Sequence, residues 1–141
     1  MTTVAANQFM MAADSLVVDQ GMRVKGDKII KINGDICGVA GNLADLSKFH
    51  KWYLDQSDDL DTDDSTILVL TSRGELFTYE SGVRMDVKEP FYAIGSGAQA
   101  AMAAMYAGKT PKEAVEIAKR IDINTGGKVK TYKIKSPKKA K

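Results

Sequence analysis

The stretch KIIKINGDICGVAG, residues 28–41, narrows the choice of fold more than any other. Two apolar runs flank Asn33-Gly34, and Asn-Gly in that setting is the strongest two-residue hairpin signal. Antiparallel strands are therefore expected near residues 28–32 and 35–40. The chain begins in a similar way. Thr2 to Ala6 and Phe9 to Ala13 are short apolar runs around Asn7-Gln8 and read as a tight hairpin or bent strand pair. DQGMRVKGD, residues 19–27, reads as a polar loop.

Helical spacing appears next. Leu43, Leu46, Phe49, Trp52 and Tyr53 mark one face of a short amphipathic helix. The acidic stretch SDDLDTDDS ends it. STILVLTS and GELFTYES read as strands joined at Arg73-Gly74, and FYAIGS as a further strand. Ala98 to Ala107 is an Ala/Met-rich helix with Gly108 placed to cap its C-terminus. Thr110-Pro111-Lys112-Glu113 combines an N-cap Thr, a Pro at the first helical position and an acid at the third. It predicts a helix to about Arg120. KVKTYKI is the last strand. Strands and helices cluster separately in an antiparallel order, so a layered α+β domain is expected.

With 141 residues the chain suits one hydrophobic core. One domain is expected over residues 1–134, with a basic tail at 135–141. No apolar run approaches the roughly 20 residues of a membrane span. The first residues show no basic stretch followed by a long apolar segment, so a cytoplasmic protein is expected. The lone Cys37 cannot form an internal disulfide and is expected to face the core. The net charge is only +2, and the basic residues concentrate in the tail, so bulk charge does not argue for nucleic-acid binding.

A single histidine excludes a His-rich zinc site, and the setting of His50 on a helix beside Lys51 reads as surface, which argues against a Ser-His-Asp triad. Asp59, Asp61 and Asp63 copy the first ligand spacing of an EF-hand loop. Asp64 and Leu70 then stand where that loop needs Gly and Glu, so calcium is not expected.

Initiator Met is usually trimmed before a small residue, and trimming here would expose Thr2. One residue would then carry both a hydroxyl nucleophile and an α-amine. The reference pKa of such an amine is roughly 7.7–8.0, which suits a general base. TTV, AADS, DKIIKI, GVAGNLAD, AIGSG and DINTGG follow one another along the chain. This succession resembles the proteasome β-subunit and HslV peptidase family of N-terminal nucleophile hydrolases, across nearly the whole chain up to the tail.

The resemblance implies an αββα sandwich of antiparallel sheets between helices. Only one helix fits between Leu43 and STILVL, where family members carry a long helical pair, so one helical layer is expected to be reduced. The implied activity is a threonine-type endopeptidase. Thr2 would be the nucleophile, Lys28 the catalytic lysine and Asp14 the carboxylate that holds it. Gly41 would offer its backbone N–H to the oxyanion. Ser96 would hydrogen-bond near the amine, besides being placed to cap the Ala-rich helix. Asp122 and Thr125 would support the terminus, and Val39 would line the substrate pocket.

No cofactor or metal is implied. The implied partners are further copies of the chain in a ring around a chamber, an unfolded protein or peptide as substrate, and an ATP-driven unfoldase. Two other readings stay open at this point: a catalytically silent ring or scaffold subunit, and a small-molecule amidase of the same nucleophile type.

Overall fold

A computed structural model describes residues 2–55, 60–62 and 65–135. The chain runs β1 (Val4–Asn7), β2 (Met10–Ala13), β3 (Leu16–Asp19), β4 (Met22–Lys25), β5 (Ile29–Ile32) and β6 (Asp35–Ala40), then α1 (Ala44–Asp55). It continues with β7 (Thr66–Leu70), β8 (Leu76–Glu80), β9 (Val83–Asp86) and β10 (Phe91–Ile94), and ends with α2 (Ala98–Tyr106), α3 (Pro111–Ile121) and β11 (Lys130–Lys133).

Two antiparallel sheets stack face to face. One has the order β10-β1-β2-β11 and the other β5-β6-β7-β8-β9. Side chains alternate across the strands, as a two-residue period requires. From β6, Ile36 and Ala40 enter the core between the sheets, while Cys37 and Val39 face α1. From β1 and β2, Val4, Ala6, Met11 and Ala13 fill that central core, and Ala5 and Ala12 turn toward α2 and α3. The small alanines on this second face let both helices lie close to the sheet. The result is an α+β sandwich of αββα type. Among the described residues α1 is the one helix on the outer face of the five-stranded sheet, and farther along that face the Arg84 guanidinium lies over the Phe77 ring at 3.9 Å.

The local signals act as their chemistry dictates. Asn33 and Gly34 take φ of 51° and 91°, the positive pair that a tight hairpin turn needs. Thr110 and Glu113 form a reciprocal capping box at the start of α3, and such a cap contributes about 1 kcal/mol.

Two segments differ from the sequence reading. DQGMRVKGD is not a loop: β3 and β4 form a hairpin there, turning at Gln20-Gly21. A strand absent from the sequence reading, β9, pairs with β8 after a like turn at Ser81-Gly82. Every residue of β4 and β9 is exposed, and each strand is only four residues long, so the apolar alternation of Met22 and Val24 or of Val83 and Met85 is too short to stand out. Asp59, Asp63 and Asp64 of the acidic stretch and residues 136–141 of the basic tail lie outside the described residues.

Candidate active site

Thr2 and Thr3 lead into β1 and are buried. Asp14 follows β2, and its amide continues the β1–β2 ladder by donating to the Thr3 carbonyl at 3.3 Å. Lys28 precedes β5, and its carbonyl accepts from Val39 N on β6 at 2.9 Å. The ends of two hairpins, one from each sheet, thus bring Thr2, Asp14 and Lys28 to one point.

There the Thr2 hydroxyl donates to Asp14 Oδ1 at 2.6 Å, and Lys28 Nζ donates to both the Thr2 hydroxyl and Asp14 Oδ1, the latter at 2.9 Å. The Lys28 and Asp14 side chains are 4% and 0% exposed. A buried charge is tolerable only when it is paired and hydrogen-bonded. Asp14 meets that condition fully: Oδ1 also accepts from Thr3 N at 3.1 Å, and Oδ2 accepts from Gly126 N at 2.9 Å. Burial holds Lys28 below the ordinary lysine range, against the opposing pull of its hydrogen bond and charge pairing with Asp14 and of the Asp122 charge.

The backbone nitrogen of Thr2 faces a second cluster. It donates to Ser96 Oγ at 3.1 Å. Ser96 Oγ donates in turn to Asp122 Oδ2 at 2.5 Å, and Thr125 Oγ donates to the same oxygen at 2.6 Å. Asn124 N reaches Asp122 Oδ1 at 3.2 Å. Burial alone would raise the Asp122 pKa, but the donors Ser96, Thr125 and Asn124 together hold it below the usual aspartate value. Ser96 is not a helix cap, contrary to the sequence reading. Gly97 is the N-cap of α2 and has no side chain to cap it, while Ser96, one position earlier, donates to Asp122.

The glycines around Ser96 have a steric reason. A Cβ on Gly95 would come within 2.2 Å of the Thr2 carbonyl oxygen, and one on Gly97 within 2.0 Å of Thr3 Oγ. Gly97 N donates to the Thr2 carbonyl at 3.2 Å. The loop can cradle the terminal residues only because these two positions lack side chains.

Thr2 and Lys28 border a cavity of about 630 Å³, together with Val39, Gly41, Leu43 and Asn124. Val18 and Val24 of the β3–β4 hairpin form part of its wall. All the residues singled out from sequence, Thr2, Asp14, Lys28, Val39, Gly41, Ser96, Asp122 and Thr125, therefore lie on this cavity or in the hydrogen-bond network behind it. Sequence reasoning missed the hairpin wall, the Gly126 amide and Thr3. Gly126 stands within the DINTGG motif, so its signal was present.

Cys37 is buried, and burial pushes its thiol pKa up, with the Asp35 charge adding to the effect. His50 is exposed on α1. Among the described residues no group of three or more His, Cys, Asp or Glu is placed to hold a metal ion.

Solved structures with the same architecture include BPH of Thiobacillus denitrificans and eukaryotic HslV of Trypanosoma brucei. The BPH structure is 19% identical with a TM-score of 0.68, and the match covers 96% of this chain and 98% of that one. BPH in complex with epoxomicin gives 18% and 0.67, over 95% and 98%. The HslV structure gives 20% and 0.72, over 92% and 97%. The chain has the αββα sandwich fold of these HslV and BPH structures. At these identities the likeness is one of fold. No protein-family model matches the chain, and no curated protein matches its sequence. The shared fold accounts for the two sheets and for α2 and α3 on one side.

Proposed function

We propose that this chain is a threonine-type endopeptidase of a self-compartmentalising, proteasome/HslV-like ring, with Thr2 as its N-terminal residue once Met1 is removed. One observation carries the reading: the Thr2 hydroxyl lies between the Lys28 ammonium and the Asp14 carboxylate at the border of a large cavity, while its own nitrogen rests on Ser96.

In the processed chain the α-amine takes the hydroxyl proton through a water. The Thr2 oxygen forms a bond to the peptide carbonyl carbon, and the carbonyl π pair moves onto oxygen. Gly41 N–H stabilises that oxyanion. Lys28 eases the loss of the hydroxyl proton by lowering the hydroxyl pKa, and its charge also favours the neutral amine. Asp14 keeps Lys28 charged and oriented. Collapse of the intermediate breaks the C–N bond, and the protonated amine gives its proton to the leaving nitrogen. Water, with the amine again as base, then hydrolyses the ester. Asp122 and Thr125 steady the terminus through Ser96 and Thr3. The walls from Val18, Val24 and Val39 favour an apolar side chain on the substrate.

An exposed proteolytic site is hazardous to a cell, and a homo-oligomeric ring confines it to a chamber. A cytoplasmic setting, with an ATP-driven unfoldase feeding unfolded protein to the chamber, completes the reading. The test is an intact mass with and without epoxomicin, a peptide epoxyketone that reacts with a hydroxyl and a free amine on one terminal residue. The expected result is loss of Met1 and one adduct, absent in Thr2→Ala. A mass that retains Met1 and gains no adduct points instead to a silent ring subunit.

A further inference from the structure

We propose that the side-chain hydroxyl of Thr3 is a positioning group, which locks the nucleophile-bearing terminus to the Asp122 loop and so joins the two halves of the site into one hydrogen-bonded circuit. The inference rests on the peptidase reading of Thr2.

Thr3 is wholly buried, and its hydroxyl lies 2.8 Å from Thr125 Oγ. The direction of that bond follows from the proton count. A threonine hydroxyl has one proton, and Thr125 spends its own on Asp122 Oδ2 at 2.6 Å. Asp122, held ionised by its donors, has none to give. Thr3 is therefore the donor. Its proton leaves Thr125 free to commit to Asp122, and that carboxylate accepts Ser96, on which Thr2 N rests. On the other side the Thr3 amide donates to Asp14 Oδ1, the same oxygen that accepts the Thr2 hydroxyl and Lys28. The path from Thr2 N through Ser96, Asp122, Thr125, Thr3 and Asp14 returns to Thr2 Oγ. In that circuit the Thr3 hydroxyl is the closing contact on the Asp122 side. Gly97 leaves room for it, since a Cβ there would fall 2.0 Å from Thr3 Oγ.

Thr3→Val keeps the shape and deletes the donor, whereas Thr3→Ser keeps the donor. The measurement is the rate of epoxomicin adduct formation by intact mass, with kcat and KM for a peptide substrate and a melting curve for each variant. The expected result for Thr3→Val is a fall in adduct rate and kcat of about tenfold, with KM little changed, and recovery in Thr3→Ser. The fall disappears when both variants are compared in an Asp122→Asn background. If Thr3→Val does not fold, Thr3→Ala and Thr3→Ser make the comparison, and equal adduct rates overturn the proposal. Wild-type rates in a folded Thr3→Val also overturn it while leaving the peptidase reading intact. No adduct and no cleavage in the wild-type protein, with Met1 absent, overturns the peptidase reading, and this inference falls with it.

Discussion

The Lys28 ammonium lies 2.9 Å from the Asp14 carboxylate, with both side chains almost wholly out of water. The two residues are unequal partners. Asp14 also receives the Thr3 and Gly126 amides and the Thr2 hydroxyl, so it holds three chain segments together. Removing Asp14 strands a buried ammonium and two buried amides. Removing Lys28 leaves a carboxylate that still has three donors. Asp14→Ala is therefore expected to cost about 3–5 kcal/mol and Lys28→Met distinctly less. Chemical denaturation of both variants checks the order, and equal losses would contradict it. Both variants are expected to lose peptide cleavage.

The depressed Lys28 pKa sets the alkaline behaviour. Activity rises as the Thr2 α-amine loses its proton, around its reference value of roughly 7.7–8.0 or below, since a neighbouring cation depresses it. It falls again as Lys28 loses its charge, at a pH below the ordinary lysine range. The expected profile of kcat/KM is a bell with its alkaline limb below the ordinary lysine value of 10.5. Stability runs the other way. The unfolded chain binds the Lys28 proton more tightly, so this residue makes stability rise with pH from its folded pKa up to 10.5. Lys28→Arg, which cannot deprotonate, is expected to remove the alkaline limb at reduced overall rate. A limb unchanged in Lys28→Arg assigns that titration elsewhere.

Gly95 and Gly108 make a matched pair for the cradle around Thr2. Both have positive φ, 101° and 94°. A Cβ at Gly95 meets the Thr2 carbonyl oxygen at 2.2 Å, whereas a Cβ at Gly108 meets nothing within 4 Å. Gly108→Ala is expected to lose about 1 kcal/mol of stability through φ alone and to keep full activity. Gly95→Ala must also push the terminus aside, and a misplacement on that scale costs on the order of 100-fold in rate. Melting curves and kcat/KM of the two variants separate strain from displacement. Similar activities in both would remove the cradle from the argument.

The elements that could be read directly from sequence are those whose signal is local. Asn33-Gly34 turns the β5–β6 hairpin, and Thr110 with Glu113 starts α3, because each depends on neighbours a few residues away. The β3–β4 hairpin and β9 could not be read. Met22-Arg23-Val24-Lys25 and Val83-Arg84-Met85-Asp86 do alternate, but each run is only four residues long and wholly exposed, and Gln20-Gly21 and Ser81-Gly82 are weaker turn pairs than Asn-Gly. The site divides in the same way. Residues in recognisable motifs stood out, whereas the purpose of Thr3 depends on a hydroxyl 122 positions along the chain. Ser96 was half read, because the same serine before a helix suits a cap or a carboxylate partner, and only the position of Asp122 decides.

The Asp122 loop gives the acid side of the stability curve. Its carboxyl has a folded pKa below the unfolded value of 3.8, through the donors Ser96, Thr125 and Asn124 acting against burial. Between those two values the unfolded chain binds more protons, so stability rises with pH there. The contribution is complete above 3.8 and disappears as pH falls through the folded pKa. Ser96→Ala removes the donor at 2.5 Å and is expected to raise the Asp122 pKa, so the loss on acidification begins at a higher pH. Asp122→Asn removes the titration altogether, which flattens this part of the curve and lowers stability at neutral pH. Melting temperatures of the three proteins from about pH 2 to 6 test the scheme. If Asp122→Asn leaves the acid limb unchanged, the limb belongs to other carboxylates, and Asp122 then holds the terminus without governing its response to acid.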